Sequence, residues 1–363
     1  MHHADRGAGG CCRNVGCEPP RMLLTTDIPK LEVDHMIPKG AAVEAKELRH
    51  GLVSQISQLH ITGGLRATMG PEGWMLGPLM VEGGTGSLQP LPLHLVRNVV
   101  DRLGQRIIGG DNIVLPDDPL PARMWTPIGK TGVVLAAPLM WGSIASAARK
   151  AGDNHFARLA RHIAFTAQAA GIRLRDASDQ YHGQLYQATK ESTPVGHRYS
   201  NLQAFDLHLA FHSLAAEMGS ARDYLAAAFS ERLGLSKIDS LSKLAYMKGL
   251  KERPDVMDHP ILGVMLRASN QSDLDPWLFH LAEYRNKFLH REPLIGSADG
   301  AMLELKHCET DSIKVNVVQL NIYDGGDALS IFAEIYERLL ILLALAASHA
   351  GHSAEPEQVT IAS

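Results

Sequence analysis

At 363 residues the chain has room for two domains, or for one domain with a long extension. Its 45% hydrophobic and 20% charged content is that of a globular protein with a sizeable core. A net charge of −4 argues against a protein that coats duplexes with a broad basic surface, yet it leaves room for an enzyme that grips one or two phosphates with a local cation.

Cys11, Cys12 and Cys17 crowd into the first segment and Cys308 stands alone, which is no disulfide framework and suits a reducing compartment. A zinc site there would recruit His2 or His3, but the thiols lack a paired CxxC spacing. Residues 1–22 therefore read as a disordered tail, as do 352–363, and no metal or other cofactor is expected. No signal-peptide pattern occurs in residues 1–20. The apolar stretches 131–148 and 339–347 fall short of the ~20 residues that a bilayer crossing needs, so buried helices and a cytoplasmic protein without membrane contact are expected.

Taken along the chain, residues 23–192 read as a mixed, mostly helical N-terminal region of unassigned role. Helices are predicted over 42–59 and over 91–106, where Leu93, Val96, Val100 and Leu103 recur at helical spacing. Gly70–Pro71–Glu72–Gly73 and Gly83–Gly84–Thr85–Gly86 read as turns. Further helices are predicted over 133–151, 155–170 and 173–192, followed by a linker over 191–200 that contains Pro194 and Gly196. Gly129–Lys130–Thr131 has the tail of a phosphate-binding loop, but the glycine that such a loop needs further upstream is Met124 here, so no phosphate cradle is expected.

Residues 201–351 read as a second domain, an antiparallel helical bundle with an inserted β-hairpin, which makes the protein mainly α. Phe211, Leu214, Met218, Ala221, Leu225 and Phe229 form the apolar stripe of one long helix that Gly234 ends. Shorter helices are predicted over 241–250 and from Pro260. Asp275 as cap and Pro276 in the first turn start a helix that stops before Pro293. The period then changes to two over 302–306 and 313–320, a hairpin with its turn at 309–312. A last helix runs from near Asp327 to about His349.

The chemistry concentrates in Tyr284–Arg285–Asn286–Lys287–Phe288–Leu289–His290. On a wheel with Trp277 at zero, Leu278, Leu281, Tyr284 and Phe288 fall in an apolar arc from about −20° to 140°, and Arg285 falls inside it at about 80°. A guanidinium keeps its charge and is costly to bury unpaired. Either a carboxylate of the fold, with Glu217 and Asp223 as candidates, or a phosphate of a ligand must meet it. Asn286 and His290 lie four apart on the adjoining flank, with Glu283 beside them. Histidine can move a proton near neutral pH, and arginine can hold charge that develops on phosphoryl oxygens.

An Arg–Asn pair followed by His290 after four intervening positions, late in a helical region, resembles the hallmark of the HEPN family. The resemblance covers about 150 residues, over 201–351, and none of the first half. It implies a helical bundle, a homodimer whose paired motifs share a cleft, and RNA cleavage without metal through attack of the 2′-hydroxyl on the adjacent phosphate. On this chain it implies His290 as the proton-transfer residue, Arg285 as the phosphate and transition-state clamp, and Asn286 as positioner of the clamp or of the substrate; Lys287 and Glu283 on the same helix are further substrate-binding candidates. A toxin or defence role is the family's implication alone. The alternative is a HEPN-like module that binds a nucleotide or a protein without catalysis.

Spacing by itself does not select Arg285. Arg149/His155, Arg175/His182 and Arg253/His259 also satisfy it, and only Arg285 combines a polar neighbour, a capped helix and an apolar setting. His208 and His212, one turn apart near Asp206, form a candidate metal pair that reads better as core or surface histidines. Lys243, Lys248, Lys251 and Arg253 read either as a solvated face or as steering charge for RNA, Lys248 and Lys251 being the substrate-binding candidates.

Overall fold

The computed structural model describes residues 56–81, 84–114, 122–130, 135–235, 237–290, 302–309, 313–322 and 326–355. All of them belong to one unit spanning 45–363. It is mainly helical, with small antiparallel sheets.

The chain opens with strands β1 (Gln58–Ile61), β2 (Arg66–Gly70), β3 (Gly73–Gly77), β4 (Leu79–Val81) and β5 (Gly84–Gly86). Helix α1 (Leu93–Arg102) follows, then β6 (Ile107–Val114) and β7 (Ala122–Pro127). Five of these strands form one antiparallel sheet in the order β3-β2-β1-β6-β7, while β4 and β5 pair with each other. The β2–β3 hairpin closes on Gly70 opposite Gly73. At Gly73 (φ 138°) a side chain would bring its Cβ to 2.9 Å from the Leu91 carbonyl oxygen, because Leu91 and Trp74 exchange backbone hydrogen bonds along the outer edge of β3. Val96 and Val100 are the buried residues of α1.

Helices α2 (Ala137–Lys150) and α3 (Asn154–Lys190) come next, the latter capped by Asp153, whose carboxylate accepts from the Phe156 amide. A short strand, β8 (Arg198–Tyr199), leads to α4 (Ala204–Arg232), which packs extensively along α3. Short helices α5 (Leu241–Ala245), α6 (Pro254–Met257) and α7 (Leu262–Ala268) precede α8 (Trp277–His290). Strands β9 (Leu303–Glu309) and β10 (Lys314–Leu320) form the hairpin, with β8 added beyond β9. Helix α9 (Ala328–Ala347) is capped by Asp327, which accepts from the Ser330 amide, and it packs against α2, α3 and α4. Trp141 Nε1 donates to the Leu343 carbonyl at 2.9 Å and ties α2 to α9.

Several expectations change. The helix expected over 42–59 gives way at its end to strand β1; Ile56 just before the strand and Leu59 within it are both buried, and their three-residue spacing imitates a helical face. Residues 42–55 lie outside the described residues. The described part of the region before residue 130 holds more strand than helix, where residues 23–192 were expected to be mostly helical; the helix expected over 91–106 is α1. The helices expected over 155–170 and 173–192 are the single helix α3, which runs through Gly171 because that position is packed against Trp125 and Tyr336. The helix expected over 241–250 is shortened to α5 plus a 3-10 turn at Leu250–Glu252. Asp275, read as a helix cap, extends its carboxylate to Arg338 of α9, at 2.6 and 2.9 Å. The terminal segments 1–22 and 356–363, with Cys11, Cys12 and Cys17, lie outside the described residues, as does the hairpin turn at 310–312. No helix among the described residues is long and apolar enough to cross a membrane.

Candidate active site

Helix α8 is held by aromatic packing. Phe332 of α9 lies 5.5 Å from the Tyr284 ring, 5.8 Å from Phe288 and 5.3 Å from Phe211 of α4. With Leu278 and Leu281 also buried, the apolar arc of the wheel is the buried face of the helix. That face fixes the rotation of α8, and with it the direction of Arg285.

Arg285 leaves this face along the surface of α4. Its Cδ and Nε lie over Gly219, so close that a Cβ there would approach Cδ to 2.8 Å and Nε to 3.2 Å. Nε is buried and has no hydrogen-bond partner. The side chain is 33% exposed, and Nη1 stands 3.8 Å from Oδ2 of Asp223. That distance is an ion pair and not a hydrogen bond. Of the two carboxylates considered, Asp223 is the partner; Glu217 lies on the same helix, its carboxyl pushed up by burial against the opposing charge of Arg173.

Asp223 is already committed. Its Oδ1 accepts from Arg222 Nε at 3.0 Å, from Arg222 Nη2 at 2.8 Å and from the Leu241 amide at the start of α5 at 3.1 Å. Arg222 is almost fully buried. Two guanidinium groups therefore share one carboxylate, which leaves a local positive excess on the half-exposed member. Charge of that kind binds an oxyanion.

The other expected residues lie on α8 and on the segment after α5. Asn286 is exposed, and Glu283 and Lys287 are half-buried on α8. The backbone of His290 closes α8, while its ring falls outside the described residues. Lys248 and Lys251 are exposed on the segment that follows α5, joined to the Arg285 group through the chain that begins at Leu241.

The competing Arg/His pairs are engaged in the architecture. His182 donates from Nδ1 to the Gly64 carbonyl at 2.9 Å, and Arg175 pairs with Asp176. His155 pairs with Glu231. His259 accepts from the Ile261 amide at 3.1 Å and packs on Phe229, while Arg253 pairs with Asp255. The His208 and His212 rings are 6.1 Å apart, and no group of three or more metal-ligating side chains occurs among the described residues.

A second polar constellation had no signal in the sequence. His60 of β1 is fully buried, with Nδ1 3.1 Å from Ser178 Oγ of α3 and Nε2 3.1 Å from Asp111 Oδ2 of β6. Arg123 of β7 donates to Asp111 and to Asp179, and Arg66 of β2 also pairs with Asp179. Burial pushes the Asp111 carboxyl up, but the hydrogen bonds from His60 and Arg123 outweigh it and hold it below the usual range. The order Ser178–His60–Asp111 is that of a nucleophile, a base and an orienting acid. Ser178 is only 1% exposed, however, so no substrate carbonyl or phosphate can reach its hydroxyl. The network docks the sheet on α3.

The chain matches no family model, no curated protein and no solved structure.

Proposed function

We propose that residues 201–351 form a HEPN-type antiparallel helical bundle with an inserted hairpin, and that it is a metal-independent endoribonuclease acting as a cytoplasmic homodimer. One observation carries the reading: the half-exposed guanidinium of Arg285, on the helix that ends at His290, shares Asp223, its counter-ion among the described residues, with buried Arg222. In the reaction, His290 takes the proton of the 2′-hydroxyl. The 2′-oxygen bonds to the adjacent phosphorus, and the bond to the 5′-oxygen breaks as that oxygen takes a proton from the His290 imidazolium, which restores the free base. Arg285 holds the charge that builds on the non-bridging oxygens. Asn286 positions the strand, and Lys248 and Lys251 add attraction for it. A toxin or defence effector fits this chemistry.

The proximity of Asp223 favours a second reading, a non-catalytic HEPN-like module that binds a nucleotide or a protein through the same arginine. RNA turnover by the pure protein separates the two. The nuclease reading expects cutting that survives chelator and is lost in His290→Ala and in Arg285→Ala, with melting temperatures unchanged. Binding without turnover supports the module, and cutting that persists in His290→Ala contradicts the nuclease.

A further inference from the structure

Resting on the nuclease reading, we infer that Gly219 and Asp223 of α4 are positioning residues that set the height and direction of the Arg285 guanidinium.

Gly219 lies inside a long helix, where glycine is less favourable than alanine by roughly 1 kcal/mol. Its neighbour is not tight backbone but the flexible Arg285 side chain, with Cδ at 2.8 Å and Nε at 3.2 Å from the point a Cβ would occupy. An added methyl is thus accommodated by moving the guanidinium outward rather than by moving a helix. The bare backbone at this position lets Arg285 lie flat on α4, with Nε against the helix and the Nη atoms towards the surface.

Asp223 acts on the other end of the fork. Three donors on Oδ1 pin its carboxylate, so Oδ2 is presented at a fixed place. Standing 3.8 Å from Nη1, Oδ2 orients the fork electrostatically without consuming one of its donors. The donors then remain for the two non-bridging oxygens of a phosphate, the bidentate arrangement that guanidinium favours. A carboxylate this close also repels the phosphate, so the device gives up affinity in exchange for geometry.

The test compares steady-state cleavage of one RNA by wild-type protein, Gly219→Ala, Asp223→Asn and His290→Ala, with thermal melting of each. Gly219→Ala is expected to melt no lower than wild type while kcat falls about tenfold, since Arg285 Cδ must retreat from 2.8 Å to ordinary contact beyond 3.4 Å, which spoils transition-state contacts. A merely structural glycine would change melting and leave kcat alone. Asp223→Asn keeps an acceptor for Arg222 and for the Leu241 amide but loses its charge; kcat and KM are both expected to fall, KM by about threefold as the repulsion disappears. If His290→Ala abolishes cutting while Gly219→Ala and Asp223→Asn keep the wild-type kcat, the positioning inference is overturned and the nuclease reading stands. If His290→Ala cuts like wild type, the reading itself falls and the inference with it.

Discussion

Tyr336 of α9 places its hydroxyl 3.0 Å from the Ala167 carbonyl of α3, over a gap in the helix surface that exists because residue 171 is glycine. A Cβ at Gly171 would lie 2.5 Å from that hydroxyl and 2.9 Å from Cδ1 of Trp125. Both neighbours are rigid aromatic groups on other elements, so neither can yield without shifting α9 or β7.

Gly171→Ala therefore differs from Gly219→Ala in sign as well as place. Overpacking of this kind destabilises by about 1–3 kcal/mol, more than the helix gains from losing a glycine. Urea unfolding monitored by circular dichroism measures it. A midpoint equal to or above that of wild type would contradict the close packing of α3, α9 and β7.

Asp111 is the negative centre of the polar group between the sheet and α3, and Arg123 and His60 both depend on it. Without Asp111, Arg123 and Arg66 share Asp179 alone and the buried His60 ring loses its acceptor, and breaking a buried pair in this way costs up to about 3–5 kcal/mol. Asp111→Ala is expected to lose stability in that range. Removing the exposed Lys251 is expected to stay within about 0.5 kcal/mol. Equal effects in the two variants would show that the group does not dock the sheet.

Burial lowers His60 from its ordinary 6.5, against the opposing hydrogen bond with Asp111. It takes His182 from 6.5 down to about 4, aided by the nearby charge of Arg66. Both rings stay neutral in the fold at pH values where the unfolded chain takes up protons. From pH 6.5 towards about 4 the unfolded state binds more protons, so stability falls on acidification, and above 6.5 these rings add no slope. His182→Gln keeps a donor for the Gly64 carbonyl and is expected to flatten the decline of melting temperature across that window. A slope unchanged from wild type would contradict the burial of His182.

Periodicity exposed the helices because their cores are local. Phe211, Leu214, Met218, Ala221, Leu225 and Phe229 are all buried on α4, and Asp327 caps α9 as its position before an apolar run suggests. The sheet escaped because its strands carry glycine for reasons that lie elsewhere in the chain. Gly109 and Gly110 of β6 interrupt any alternation of apolar and polar residues, yet a Cβ on Gly109 would collide with the Trp125 ring, and one on Gly110 would meet Ile56 at 2.6 Å. Around Arg285, the wheel placed the charge on the buried face and left two carboxylates open; the cross-element approach to Gly219 and the prior commitment of Asp223 to Arg222 have no local signature. The polar group at His60 joins residues 51 and 118 positions apart, and no window of sequence contains it.

On the proposed function, the Arg285 guanidinium stabilises a phosphorane formed by a neighbouring 2′-hydroxyl. The most direct measurement incubates pure protein, in chelator, with an RNA and with its 2′-O-methyl counterpart, and identifies the 3′ ends of any products. The RNA is expected to be cut to 2′,3′-cyclic phosphate ends while the methylated strand is bound and stays whole. Cutting of both strands, or an intact RNA at every protein concentration, would contradict it.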